Sequence, residues 1–163
     1  IEYGAEWVMP TVTYRAATPD DAAALAALRW ENQAERHPEL QPRDTLAEYT
    51  AVYIEQIRDE LARGIHRAWL AEADGEVVAC VALVWWVMPP NPDEHQRRRG
   101  FVTSVYTRPA YRRQGVARQL MTMLIEHARA EGLQRLILWS SEMGRPLYED
   151  LGFTPSRGLE IDL

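Results

Sequence analysis

Three arginines surround one glycine in the run Arg112-Arg113-Gln114-Gly115-Val116-Ala117-Arg118, and no other stretch of the 163-residue chain is better suited to hold a multiply charged anion. Glycine lets backbone approach a ligand closely, small Ala117 keeps the next turn uncrowded, and arginine stays charged at any accessible pH. A helix that starts at Gly115 leaves its first N–H groups without partners and turns a partial positive charge toward whatever stands in front of it. A diphosphate fits this chemistry. The spacing is neither G-x-x-x-x-G-K-[ST] nor G-x-G-x-x-G, so a triphosphate loop or a dinucleotide fingerprint is not supported.

The elements that must position this cradle are legible on either side. Val102, Thr103, Val105, Tyr106 and Thr107 have strand composition, and Pro109 cannot continue a ladder. Downstream, Arg118, Thr122, Glu126 and Arg129 recur at helical spacing, while Val116, Leu120, Met121, Leu124, Ile125 and Ala128 form a wide apolar arc that packs on a sheet. Gly132 stops the helix, and Leu136 to Trp139 is a short apolar strand. Strand, helix and strand in that order imply a right-handed parallel crossover.

The pattern R-x-x-G-x-A at Arg112 to Ala117, after a strand and Arg108-Pro109-Ala110-Tyr111, resembles the acetyl-CoA signature of the GNAT-type N-acetyltransferases. Leu147-Tyr148-Glu149-Asp150-Leu151-Gly152-Phe153 resembles that family's late L-Y-x-x-x-G-F run, so the likeness covers roughly Phe101 to Phe153. It implies an α/β fold whose central, mixed, partly parallel sheet splays at the cofactor cleft and is flanked by helices. It also implies acetyl-CoA as cofactor, with its diphosphate on the N–H groups of Arg113, Gln114, Gly115, Val116, Ala117 and Arg118 beside Arg112. The pantetheine arm would lie along Val105, Tyr106 and Thr107, and an N–H near Val105 would serve as oxyanion donor. Tyr148 matches the tyrosine that protonates the departing thiolate. Ser140-Ser141-Glu142-Met143 stands where many members carry an asparagine, and Ser141 is taken as the cofactor contact there. For the base that deprotonates the amine, Glu94 is the choice, with His95, Glu142, Glu31 and Glu35 as alternatives.

The implied reaction is direct N-acetyl transfer to a primary amine in a ternary complex; the rival is a non-catalytic acyl-CoA-binding regulatory module. A net charge of −6 favours a cationic small amine, an amine-bearing antibiotic or a peptide amine over nucleic acid or anionic lipid. All 18 basic residues are arginine, so the chain has no lysine of its own to acylate. Single Cys80, in an apolar run, excludes an internal disulfide and reads as a buried thiol of a cytoplasmic protein. No apolar segment approaches the twenty residues of a membrane span. The four histidines have no metal-ligand spacing, and a homodimer is compatible with everything above.

In chain order, residues 1–8 read as a remnant or upstream extension ahead of one domain over 9–163. A strand over Thr11 to Ala16 precedes a helix capped by Thr18 and Asp21 and stopped at His37-Pro38. Thr45 and Glu48 box a second helix that ends at Gly64, with Tyr49 and Tyr53 on its apolar side. Ile65 to Glu72 and Glu76 to Val87 form a hairpin at Asp74-Gly75. The second of these strands is central, with one of Trp85 and Trp86 entering the core and the other lining a cleft. Met88 to Gly100 reads as a loop whose Arg97-Arg98-Arg99 run is a solvated cluster, or a contact to a cofactor 3′-phosphate or nucleic acid. A short helix begins near Pro146 and ends at Gly152, and Phe153 to Leu163 supplies one or two last strands.

Overall fold

In a computed structural model, which describes residues 11–40, 43–89, 92 and 97–162, five strands form one sheet in the order β1-β2-β3-β4-β5. The strands are β1 (Thr13–Ala16), β2 (His66–Ala73), β3 (Glu76–Val87), β4 (Arg98–Thr107) and β5 (Arg135–Ile137). All neighbours are antiparallel except β4 and β5, which run parallel across the crossover helix. Four α-helices accompany them among the described residues: α1 (Ala22–Arg36), α2 (Arg43–Arg63), α3 (Val116–Ala130) and α4 (Arg145–Asp150). The side chains of Thr45, Glu48 and Tyr49, and all of residues 1–8, Glu94 and His95, lie outside those described.

Alternation along the strands sends successive side chains to opposite faces and creates two cores. Trp69, Ala71, Val81, Leu83 and Val102 meet Leu120, Met121 and Leu124 of α3. Leu70, Cys80, Ala82 and Tyr106 meet Leu25 and Leu28 of α1 and Ile57 and Leu61 of α2 on the other face. Central β3 is accordingly an almost continuous apolar run. Trp85 packs on the α3-face core, and Trp86 is exposed and donates its indole N–H to Met88 Sδ at 3.1 Å.

Several boundaries differ from the sequence reading. A 3-10 turn at Pro19–Asp21 precedes α1, although Thr18 N–H does donate to Asp21 Oδ2 at 2.7 Å. β4 begins at Arg98, inside the expected loop, because Trp86 and Val87 of β3 extend the ladder to Arg99 and Arg98. The run is therefore solvated only in part: Arg97 and Arg98 are exposed, with Arg98 reaching Glu131 at 3.5 Å and Arg97 Nε donating to Met88 O at 2.9 Å, but Arg99 is buried. Gly100 is required in β4, since a Cβ there would stand 2.6 Å from Leu136 Cδ2 and 2.8 Å from Leu83 Cδ1. Finally, β5 closes after Ile137, and no strand follows Phe153 among the described residues; Leu159 and Ile161 are exposed.

Candidate active site

The turn and helix start expected of the cradle stand where the residue types put them. Gly115 caps α3 with φ +81°, a left-handed conformation that suits glycine. Arg113 holds φ +63°, an unusual setting for a non-glycine residue and a mark of a turn fixed by its surroundings. The first helical bond runs from Gln119 N–H to Gly115 O at 3.0 Å, so the N–H groups of Val116, Ala117 and Arg118 have no partner among the described residues. A Cβ built on Gly115 meets nothing within 4 Å, so the space before these donors is open. Buried Val116, Leu120 and Met121 hold the helix end against the sheet.

β4 leads into this cradle and parts from β5 on the way. Their pairing covers only Arg99 with Arg135, Gly100 with Leu136 and Phe101 with Ile137, after which the β4 edge toward β5 has no strand partner among the described residues. On the other side of β4, a bulge between the Ala82–Thr103 and Cys80–Tyr106 pairs interrupts the ladder with β3, with Ser104 at φ +52°. Cys80 Sγ donates to Ser104 O at 3.2 Å, and burial pushes its thiol up to about 12, which leaves it a structural group. The splayed edge carries Val105, Tyr106 and Thr107, and an amide-rich ligand could take the place of the absent strand.

Tyr148 lies on α4, half-buried against the same core as Val105, with its ring edge-on to Phe153 at 6.0 Å. Burial raises its phenol above the usual range, and the charge of Arg36 opposes that rise. Its hydroxyl has no hydrogen-bond partner among the described residues. A groove lined by Leu136, Leu138, Trp139, Tyr148 and Phe153 opens beside it. Ser141 Oγ accepts from Gly144 N–H at 3.2 Å and so ties down the turn before α4.

Other predicted residues are engaged elsewhere. Arg112 directs its guanidinium to Glu35, with Nη2 at 2.9 and 2.7 Å from the two carboxylate oxygens, while Nε donates to Thr107 O at 2.8 Å. Tyr106 is buried on the α1 and α2 face and donates its hydroxyl to Glu35 Oε1 at 2.5 Å, so only its backbone faces the cleft edge. Arg118 pairs with Asp150 at 2.8 Å, and Gln114 Nε2 donates to Ala110 O at 2.9 Å. Arg113 and Glu142 are exposed.

Two of the acids weighed as bases are counter-ions. Glu31 accepts both Nε and Nη2 of Arg108, at 3.1 and 2.9 Å. At Glu35 burial pushes the carboxyl upward, but Tyr106 and Arg112 outweigh it and hold the acid below its ordinary value. Sequence reasoning missed this clamp, although its signal was present: two acids four apart in α1 face two arginines four apart after β4. Among the described residues no group of side chains could hold a metal ion, and no helix is long and apolar enough to cross a membrane.

The model of the acetyltransferase (GNAT) family matches residues 23–153. The glucosamine 6-phosphate N-acetyltransferase of Trypanosoma brucei brucei is 30% identical over 61% of this chain and 66% of its own length. An amino-acid acetyltransferase of Edwardsiella ictaluri is 29% identical over 71% of this chain but only 24% of its own, so the chain spans under two thirds of either relative. Among solved structures, a predicted acetyltransferase with acetyl-CoA from Clostridium acetobutylicum superposes with a TM-score of 0.80 at 26% identity, covering 93% of this chain and 96% of the other. With the splayed sheet and the glycine-capped helix in place, the match over residues 23–153 means that this chain belongs to the GNAT acetyltransferase family.

Proposed function

We propose that the protein is an enzyme that transfers the acetyl group of acetyl-CoA to a primary amine by direct attack in a ternary complex. One observation carries the reading: a strand whose edge loses its partner after Phe101 runs into a helix end with three N–H groups that have no partner among the described residues, and a half-buried tyrosine packs on the same core. Acetyl-CoA supplies the activated acetyl group as a thioester. Val116, Ala117 and Arg118 donate their N–H groups to diphosphate oxygens, helped by the helix dipole. The backbone of Val105 to Thr107 pairs with the amide-rich arm, and an N–H near Val105 donates to the carbonyl oxygen as charge develops there. Tyr148 donates its proton to the leaving sulfur, for which a raised pKa is favourable because the phenol stays protonated through the neutral range.

With Glu31 and Glu35 held by arginines, Glu94 is the proposed base. The acceptor is a small or peptide amine; the two relatives named above act on an amino acid and on glucosamine 6-phosphate, both of which offer a primary amine. The test is acetyl-CoA-dependent thiol release against a panel of amines, with the acetylated product identified by mass. Release that tracks one acceptor class supports transfer. Tight acetyl-CoA binding with no release from any amine would instead favour the non-catalytic acyl-CoA-binding module.

A further inference from the structure

Arg29 of α1 is half-buried on the sheet face covered by α1 and α2, and its surroundings differ from those of the other inward-reaching arginines. Nη1 donates to Ser104 Oγ at 3.1 Å, at the β4 bulge one residue before Val105. The guanidinium carbon stands 5.6 Å from the ring centre of Tyr53. Arg29 has no carboxylate partner among the described residues, whereas Arg15, Arg108 and Arg112, also partly covered, each have one or two. Its positive charge is felt by buried His66 and Cys80.

A guanidinium has five N–H donors, and only one nitrogen of Arg29 is used. Nε and Nη2 have no partner among the described residues, and neither is among the buried unsatisfied side-chain atoms, so both touch solvent-accessible space. Together they form one straight edge of the planar fork, the edge that matches the two oxygens of a carboxylate or phosphate. Neighbouring acids are engaged elsewhere: Glu31 and Glu35 of α1 are spent on Arg108 and Arg112, and Glu60 of α2 is 3.1 Å from His66.

We infer that Arg29 is the anchor for an oxyanion on the acetyl acceptor, so that the amine accepted carries a carboxylate or a phosphate. The inference rests on the N-acetyl-transfer reading, which puts the acetyl carbonyl near Val105. An acceptor whose anion is gripped by Nε and Nη2 beside Ser104 is thereby tethered next to the thioester carbon, and tethering of this kind removes much of the entropic cost of a bimolecular encounter. The local charge thus selects a zwitterionic or phosphorylated amine, in contrast with the purely cationic one that the net charge of −6 favours.

The experiment uses the full chain saturated with acetyl-CoA and matched acceptor pairs: amino acids against the amines left when the carboxylate is removed, and phosphoethanolamine and glucosamine 6-phosphate against ethanolamine and glucosamine. The wild type should prefer the anion-bearing member, and the carboxylate and phosphate arms identify which oxyanion fits. Arg29→Gln should lower kcat/KM for that member by about 30-fold or more, as expected when one partner of a desolvated charge pair is removed. Its anion-free counterpart should change by less than about threefold, since it never uses the fork. Arg29→Lys should restore part of the preference through a point charge. Arg29→Gln should also keep its melting temperature and CoA affinity, because a half-buried position gives up only the bond to Ser104 and the contact with the Tyr53 ring. Preference for anion-free amines, or an equal loss for both members of a pair, overturns the inference while leaving acetyl transfer intact. Silence across the whole panel with acetyl-CoA bound overturns the transfer reading and this inference with it.

Discussion

The two faces of the sheet meet along β4 and offer binding groups of different kinds. Toward α3 and β5 the groups are backbone: an unpartnered strand edge and the first N–H groups of a helix. Toward α1 and α2 they are side chains brought together from remote segments, such as Arg29 with Ser104, Glu31 with Arg108 and Glu35 with both Tyr106 and Arg112. Backbone geometry is set by a local run with a glycine at the right place. Side-chain constellations depend on how α1 lies across β4, which no local run encodes.

The largest effect should come where the backbone face ends in a single side chain. Tyr148→Phe keeps the ring that packs beside Phe153 and removes only the hydroxyl proposed as proton donor. Turnover should fall by roughly 100-fold to 10,000-fold while acetyl-CoA affinity and melting temperature hold. Full turnover in this variant would take Tyr148 out of the mechanism. Tyr148→Ala should in addition lower the melting temperature through the cavity it leaves.

Gly115→Asp attacks the backbone itself. Because a Cβ at this position meets nothing within 4 Å, the substitution does not clash; its cost is the left-handed φ plus a carboxylate facing the proposed diphosphate site. Acetyl-CoA affinity should drop by about 10-fold to 100-fold through like-charge repulsion, while the conformation itself should lower stability by about 1–2 kcal/mol. Arg97→Ala, at a side chain bound to Met88 O, should leave it unchanged. Calorimetry on folded variants decides, and equal affinities would move the phosphate site away from α3.

These two predictions draw on what was legible in the sequence. The β4, α3 and β5 order, the hairpin at Asp74-Gly75, central β3 and the glycine-capped helix could all be read because each rests on local composition or on a periodicity. The start of β4 could not be read, since three charged residues mimic a loop and only the neighbouring Trp86 and Val87 reveal that Arg98 and Arg99 belong to a ladder. Nor could the direction of Arg112 be read. Its position in the motif suggests a phosphate contact, whereas its guanidinium turns to an acid 77 residues away.

That turn gives a smaller and sharper test of the side-chain face. If Arg112 is a strut that fixes the cofactor turn through Glu35 and Thr107 O, then Glu35→Gln and Arg112→Ala should each weaken CoA binding by about fivefold. The double variant should be little worse than either, because both remove the same link. A guanidinium that instead serves the diphosphate directly predicts opposite signs. Glu35→Gln would then free it and tighten binding, and Arg112→Ala would weaken binding in a salt-dependent way.

The smallest effect concerns His66, which begins β2 under α2 with Nδ1 3.1 Å from Glu60 Oε2. Burial lowers its pKa below the ordinary 6.5; the Glu60 carboxylate pulls the other way without winning, and the Arg29 charge adds to the lowering. The folded state therefore favours neutral imidazole, and the unfolded chain takes up the proton first as the pH drops. Stability contributed by this group is complete above about pH 6.5 and declines as the pH falls toward the folded-state pKa, with a limiting slope of about 1.4 kcal/mol per pH unit. Asp21 and Glu35, both lowered acids, lose their contributions below their own ordinary values of 3.8 and 4.5 and so stay out of this window. Between pH 6.5 and 5.5 the wild type should lose denaturation free energy that His66→Gln does not lose. Parallel curves for the two proteins across that interval would mean that the imidazole does not titrate there, and that the carboxylate of Glu60 offsets its burial in full.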